Sequence, residues 1–238
     1  MEIRYHGHSC FELSHGDTNL IVDPFLAPNN PIADVTADDV SVTHLALTHG
    51  HADHVADAVA VATKNKPQCV AMVEVANWLE MQGVENVSDP NLGGTVRFED
   101  DDLSIKLVQA WHTNTLPGSE ERPFSAELGT PIGTPSGLII EMGGLTIYDA
   151  GDTCLFGDME LIGKRHGVDV ALLPIGGHYT MDREDAAYAA ELIGAKRVVP
   201  IHYDTFPPIK TDAQAFAADC QANGIEAIVL DPGQTAEL

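Results

Sequence analysis

The segment Thr48-His49-Gly50-His51-Ala52-Asp53-His54 constrains this chain more than any other. It gathers three imidazoles and a carboxylate directly after the β-rich run 42–48. A strand that ends in a loop can splay neighbouring side chains toward one point, which a regular helix face cannot do for adjacent residues. Imidazole and carboxylate together suit Zn²⁺ and neighbouring divalent ions. The competing reading, a polar surface loop, explains neither the spacing nor the preceding apolar strand.

Elements before and after this segment alternate in type. Residues 11–13 and 19–23 flank a turn at His15-Gly16-Asp17 and read as a hairpin, which Pro24 ends. Residues 57–64 and 75–81 read as helices followed by the breakers Pro67 and Gly83. Residues 103–108 alternate as a half-buried strand. Residues 137–142 and 145–149 form a second hairpin about Gly143-Gly144. Residues 168–174 and 197–201 read as strands. Residues 182–193 read as a helix capped by Asp182 and stopped by Gly194, 213–223 as a helix ending at Gly224, and 227–230 as the last strand. Between the hairpins lies one long irregular stretch, 113–135, rich in Gly, Pro, Ser and Thr, of a length that is usually functional or disordered. No low-complexity linker divides the chain. Residues 1–238 are therefore expected to form one α/β domain with two sheets inside and helices outside.

Composition excludes some partners. The chain has 36 Asp and Glu against 12 Lys and Arg, a formal net charge of −24, which repels nucleic-acid backbones and anionic membrane faces. The run Glu99-Asp100-Asp101-Asp102 reads as a solvated turn. The first residues lack a basic stretch followed by an apolar one, so no signal peptide is expected. No apolar run reaches membrane-spanning length. Four scattered cysteines, with no CxxC pair, read as free and mostly buried thiols. The expectation is a cytoplasmic protein acting on a small-molecule substrate, with no nucleic acid or membrane partner and with a homo-oligomer open.

The histidine segment resembles the signature of the metallo-β-lactamase-fold superfamily, and the remaining motifs of that family follow in order. Asp23 resembles its first motif, Trp111-His112 its third, Tyr148-Asp149-Ala150-Gly151-Asp152-Thr153 its Gly-Asp-Thr motif, and Ile201-His202 its last ligand histidine. The resemblance covers nearly the whole chain. It implies a four-layer αββα sandwich of two mixed β-sheets flanked by helices. It also implies two divalent ions, Zn²⁺ by default with Mn²⁺ or Fe²⁺ fitting the same donors. His49, His51 and His112 would hold one ion, Asp53, His54 and His202 the other, and Asp152 would bridge them. Asp23 would support the ligands from behind. Gly50 stands where the flavodiiron branch carries a glutamate ligand, which disfavours oxygen reduction.

The opening Gly7-His8-Ser9-Cys10-Phe11, the Asp23-Pro24 pair and residues 174–182 resemble a subgroup of small metal-dependent hydrolases. That subgroup is related to L-ascorbate-6-phosphate lactonase and, more distantly, to phosphodiesterases acting on N-acyl phosphatidylethanolamine. The implied chemistry is attack by a metal-bridging hydroxide on an ester-like bond, a lactone first and a phosphodiester as the alternative. A metal-binding or sensing protein without turnover is the alternative of another class. Asp53 and Asp152 are the catalytic carboxylates of this reading. His178, after a strand and a Gly-Gly turn, is either the proton donor to the leaving group or a loop histidine without a role. His8 is either a donor behind the metal ligands or a turn residue. His44 reads as a core residue and Arg183 as a surface residue, with an anion clamp as its alternative. Stretch 113–135 reads as a substrate lid. His6, His15 and His166 carry no signal.

Overall fold

In Leu20-Ile21-Val22 neighbouring side chains point to opposite faces of a strand, and all three are fully buried. A strand apolar on both faces needs cover on both, and this requirement builds the molecule. Residues 1–116 and 130–238 are described in a computed structural model. The first sheet runs in the order β16 (Thr235–Glu237), β1 (Glu2–Gly7), β2 (Cys10–His15), β3 (Thr18–Val22), β4 (His44–Ala46), β5 (Gln68–Val70) and β6 (Val87–Ser88). It is antiparallel through β3 and parallel beyond it. The second sheet runs β15 (Glu226–Ala227), β14 (Arg197–Ile201), β13 (Val170–Pro174), β12 (Leu145–Asp149), β11 (Ser136–Met142), β8 (Leu103–Gln109) and β7 (Thr95–Phe98). Here β12 to β15 are parallel and β7 to β12 antiparallel.

Three apolar layers separate four structural ones. Leu20 and Val22 point into the gap between the sheets, where Ile105, Leu138, Ile140, Val170 and Leu172 of the second sheet join them in one core. Ile21 and Leu45 point the other way, onto α1 (Ala52–Val55), α2 (Ala58–Asn65) and α3 (Val73–Met81) through Val55, Val61, Val75 and Leu79. Ala171 and Leu173 of β13 likewise turn from the inter-sheet core toward α4 (Met159–His166), α5 (Arg183–Ile193) and α6 (Ala213–Ala222). The result is helices, sheet, sheet, helices, as the αββα expectation required. Among the described residues no helix is long and apolar enough to cross a membrane.

Local expectations fare unevenly. Both hairpins form, Asp182 caps α5 by accepting from the Asp185 N–H at 2.9 Å, and Gly194 ends it in the left-handed conformation. The acidic run is a short exposed turn between β7 and β8. The last strand is not 227–230. Pairing at β15 stops at Ala227, and the chain ends instead on β16, whose Ala236 pairs with Ile3. Three residues at a sheet edge carry too little periodicity to be read. Stretch 113–135 is not wholly irregular either: β9 (Thr115–Leu116) and β10 (Thr130–Pro131) pair within it. Residues 117–129 of the expected lid lie outside the described residues.

Helix α4 approaches α5 unusually closely. A Cβ added at Gly163 would fall 1.9 Å from the Ile193 carbonyl oxygen, so only glycine permits the contact. Gly163→Ala should lower stability by about 1–3 kcal/mol as the helices part. A urea titration reads this as a lower midpoint. An open helix position would gain roughly 0.5–1 kcal/mol from the same change, so a raised midpoint contradicts the close approach.

Candidate metal centre

The expected ligands lie in the loops that follow strands of the two sheets, or in the short helix that one of those loops enters. His49 and His51 lie between β4 and α1, and Asp53 and His54 in α1 itself. His112 follows β8, Asp152 follows β12 and His202 follows β14. Segments far apart in sequence thus meet at one edge of the sandwich. His49, His54, Asp152 and His202 are buried, while His51, Asp53 and His112 are partly exposed.

Two groups of four donors adjoin, and a third group, Asp23, His49 and His54, shares one histidine with each. His49, His51, His112 and Asp152 each offer an atom within 4.8 Å of the others, and so do His8, Asp53, His54 and His202. Asp152 joins them. Its Oδ2 lies 3.5 Å from His112 Nε2, 4.0 Å from His49 Nε2 and 3.1 Å from His202 Nε2, and its Oδ1 lies 3.5 Å from His54 Nε2. His49 Nε2 and His51 Nδ1 face each other at 2.9 Å. A tetrahedral ion with bonds of about 2.0–2.1 Å keeps its donors roughly 3.3–3.4 Å apart, and these separations bracket that value. Three buried atoms of the cluster, His202 Nδ1, His54 Nε2 and Asp152 Oδ1, have no hydrogen-bond partner among the described residues, and the last two face each other at 3.5 Å. Buried polar atoms are normally satisfied, so this pair fits a bound cation.

Electrostatics agree with that fit at His49, His51, His112 and Asp152. Burial, reinforced by neighbouring imidazoles, pushes His49 well down, His51 to about 4, and His112 down, so these rings keep lone pairs at neutral pH. At Asp152 burial opposes the charge, but His202 and His54 outweigh it and hold the carboxylate well below its ordinary range. His54 is the opposite case: burial disfavours its charge, yet Asp152 and Asp23 raise it. Asp149, behind the cluster, is pushed up to about 8, chiefly by burial and then by Asp23. It accepts from the Gly151 N–H at 3.1 Å and stands outside both donor groups.

The candidate ligands are held from behind. Asp23 accepts from the Thr48 N–H at 2.8 Å, from the Thr48 hydroxyl at 2.5 Å and from His54 Nδ1 at 2.7 Å, which leaves His54 Nε2 for an ion. Asp23 thus contacts both the start of the histidine loop and His54, and His8 lies against the cluster, 3.2 Å from Asp53. Gly50 is closed to larger residues, since a Cβ there would lie 3.0 Å from both Ile132 Cδ1 and the Thr115 carbonyl oxygen. Asn114 was missed by the sequence reading. Its Oδ1 accepts from the Gly50 N–H at 2.8 Å and its Nδ2 donates to the Thr134 carbonyl at 3.2 Å, clamping the histidine loop under β9 and β10. Only its position two residues after His112 could have suggested this.

His178 is not in either donor group. Its loop flanks them: the Met181 N–H donates to the Thr153 carbonyl at 3.0 Å, and Gly176 packs so tightly that a Cβ would lie 2.4 Å from the His202 carbonyl oxygen. The ring stands edge-on to Tyr179. Arg183 is engaged elsewhere, 2.9 Å from Asp219, and ties α5 to α6. His44 is buried against Phe98. His6, which carried no signal, is buried between Glu12 at 2.7 Å and Asp34 at 2.9 Å. Three cysteines are buried and free, and Cys154 is free and exposed.

Comparison with known proteins agrees with this geometry. Residues 2–202 match the beta-lactamase superfamily domain, and the chain belongs to that superfamily as a metal-dependent hydrolase of the metallo-β-lactamase fold. It is 43% identical to a UPF0173 metal-dependent hydrolase of Shouchella clausii, over 100% of both chains. It is 45% identical to one from Thermus thermophilus, over 100% of this chain and 99% of the relative. Among solved structures it is similar to Igni18, a metallo hydrolase of Ignicoccus hospitalis, with a TM-score of 0.85 and 32% identity over 99% of this chain and 97% of that one.

Asp23→Asn keeps the shape of the support but gives an amide in place of the carboxylate facing His54. Zn²⁺ affinity should fall about 10–100-fold, measured by competition with a chromogenic chelator. Wild-type affinity in this variant would show that the ligands need no such support.

Proposed function

We propose that this protein is a dinuclear hydrolase that opens a small lactone, with phosphodiester hydrolysis as the alternative. The observation that carries the two-ion reading is the pair of donor groups meeting at Asp152. The lactone assignment rests on the resemblance of residues 7–11 and 174–182 to the subgroup related to L-ascorbate-6-phosphate lactonase. When bound, two divalent ions would supply Lewis acidity toward the substrate oxygen and water acidified toward neutrality.

The chain's own residues have distinct tasks in this reading. Asp152 fixes the spacing of the two groups, which is supported by its burial and by its two oxygens facing different imidazoles, Oδ1 toward His54 and Oδ2 toward His202. Asp53 takes the proton from the attacking water; its side chain is 30% exposed, whereas that of Asp152 is 2% exposed. His178 gives a proton to the leaving alkoxide; its side chain is exposed, on a loop whose Met181 and Gly176 meet the Thr153 and His202 backbones, and that placement supports the role. The net charge of −24 favours a small substrate over a nucleic acid.

Proton release in a pH-stat, across lactones, carboxylic esters and phosphodiesters, tests the proposal. The Zn²⁺- or Mn²⁺-loaded chain should turn over a lactone, and chelation should abolish it. Asp152→Ala should lower kcat/KM by at least about 10³-fold, since it removes the shared ligand. His178→Ala should lower kcat by about 10²-fold or more, with a smaller loss for a substrate whose leaving group needs no proton. Turnover of phosphodiesters alone selects the alternative. Full activity after chelation overturns the metal-dependent mechanism.

A further inference from the structure

His8 sits in the turn between β1 and β2, in the first sheet, yet its contacts converge on Asp53 and His202 of the second donor group. Its side chain is fully buried. Its carbonyl accepts from the Tyr5 hydroxyl at 2.9 Å and from the His202 N–H at 2.7 Å, so its backbone is pinned. The ring lies 4.1 Å from that of His202 and meets the edges of Phe25 and Phe206, each at 5.5 Å. A ring held this way has one orientation. In it, Nε2 faces Asp53 Oδ2 at 3.2 Å and Nδ1 faces the Thr205 hydroxyl at 2.9 Å.

Proton inventory then selects a tautomer. A carboxylate can only accept, so an Nε2 that faces Asp53 across a hydrogen bond carries the ring proton. The bare Nδ1 needs a donor, and Thr205 has one hydroxyl proton to give. Its other contact, the Tyr203 carbonyl, lies 3.3 Å away, beyond the usual range of about 2.5–3.0 Å for a hydroxyl donor. The shorter contact is the one to Nδ1. The chain is therefore Thr205 O–H to His8 Nδ1 and His8 Nε2–H to Asp53 Oδ2.

We propose that His8 is the positioning residue of Asp53, stopping rotation of its carboxylate so that Asp53, His54 and His202 present one fixed set of donors to the second ion. This rests on the two-ion reading above. In the competing arrangement His8 donates from Nδ1 to Thr205 across the same 2.9 Å and ligates the ion through Nε2, which leaves the Thr205 hydroxyl to donate across the longer 3.3 Å to the Tyr203 carbonyl.

Two measurements on the full chain separate these cases. The first is stepwise Co²⁺ titration of metal-stripped protein, followed by visible absorbance. His8→Ala should weaken the second binding step about 10–100-fold and leave the first unchanged. His8→Gln, whose amide N–H can still donate, should recover most of the loss, and Thr205→Val should show part of it. The second is ring ¹⁵N NMR of ¹¹³Cd-loaded wild-type protein, which should show a proton on His8 Nε2 and no coupling to ¹¹³Cd. This needs no variant to fold. Wild-type binding by His8→Ala overturns the proposal, as does ¹¹³Cd coupling at His8 Nε2. If wild-type protein takes up only one ion, the two-ion reading itself fails, which the first titration reports before any variant is made.

Discussion

Asp23 is a carboxylate shut away from water whose three hydrogen bonds hold the metal end of the molecule in place. It follows the buried strand β3 in the left-handed conformation, at φ 46°, which turns its side chain toward the neighbouring strand end. There it receives the backbone N–H and hydroxyl of Thr48 and Nδ1 of His54. The first two bonds fix where β4 releases the chain into the histidine loop. The third fixes the ring that faces Asp152. Removing that anion would leave several buried donors without an acceptor at once, which is costlier than losing one surface contact.

The same end of the molecule concentrates backbone strain. Among the described residues, His8, Asp23, His178, His202 and Asp204 all have positive φ without being glycine. Such conformations cost on the order of 1–3 kcal/mol each and persist where the surroundings over-determine them. Here the surroundings are the two sheets. Their inter-sheet core brings β1 and β14 near enough for the His8 carbonyl to accept from the His202 N–H, a bond that crosses from one sheet to the other. The sandwich thus positions a site that neither sheet could assemble alone.

Much of this was legible in the sequence because ligand chemistry leaves local marks. A string of imidazoles and a carboxylate after a strand, and a Gly-Asp-Thr turn after another, can be read within a few residues. Strands buried on both faces also announce themselves through continuous apolar runs such as Leu20-Ile21-Val22. Roles that arise from contacts between distant residues leave no such mark. Asn114 reaches Gly50 across 64 positions, and Thr205 reaches His8 across 197. His6 looked featureless because Asp34, one of its two partners, lies in another segment. The strands at β9, β10 and β16 were lost for a different reason. With two or three residues each, their pairing is set by the sheet or loop they join rather than by their own periodicity.

The central claim is that the cluster around Asp152 holds two ions. Crystals grown with Zn²⁺ and measured on either side of its absorption edge test this most directly. Two anomalous peaks are expected, roughly 3.5–4 Å apart, one among His49, His51 and His112 and the other among Asp53, His54 and His202, with Asp152 between them. A single peak, or peaks away from these residues, would contradict it.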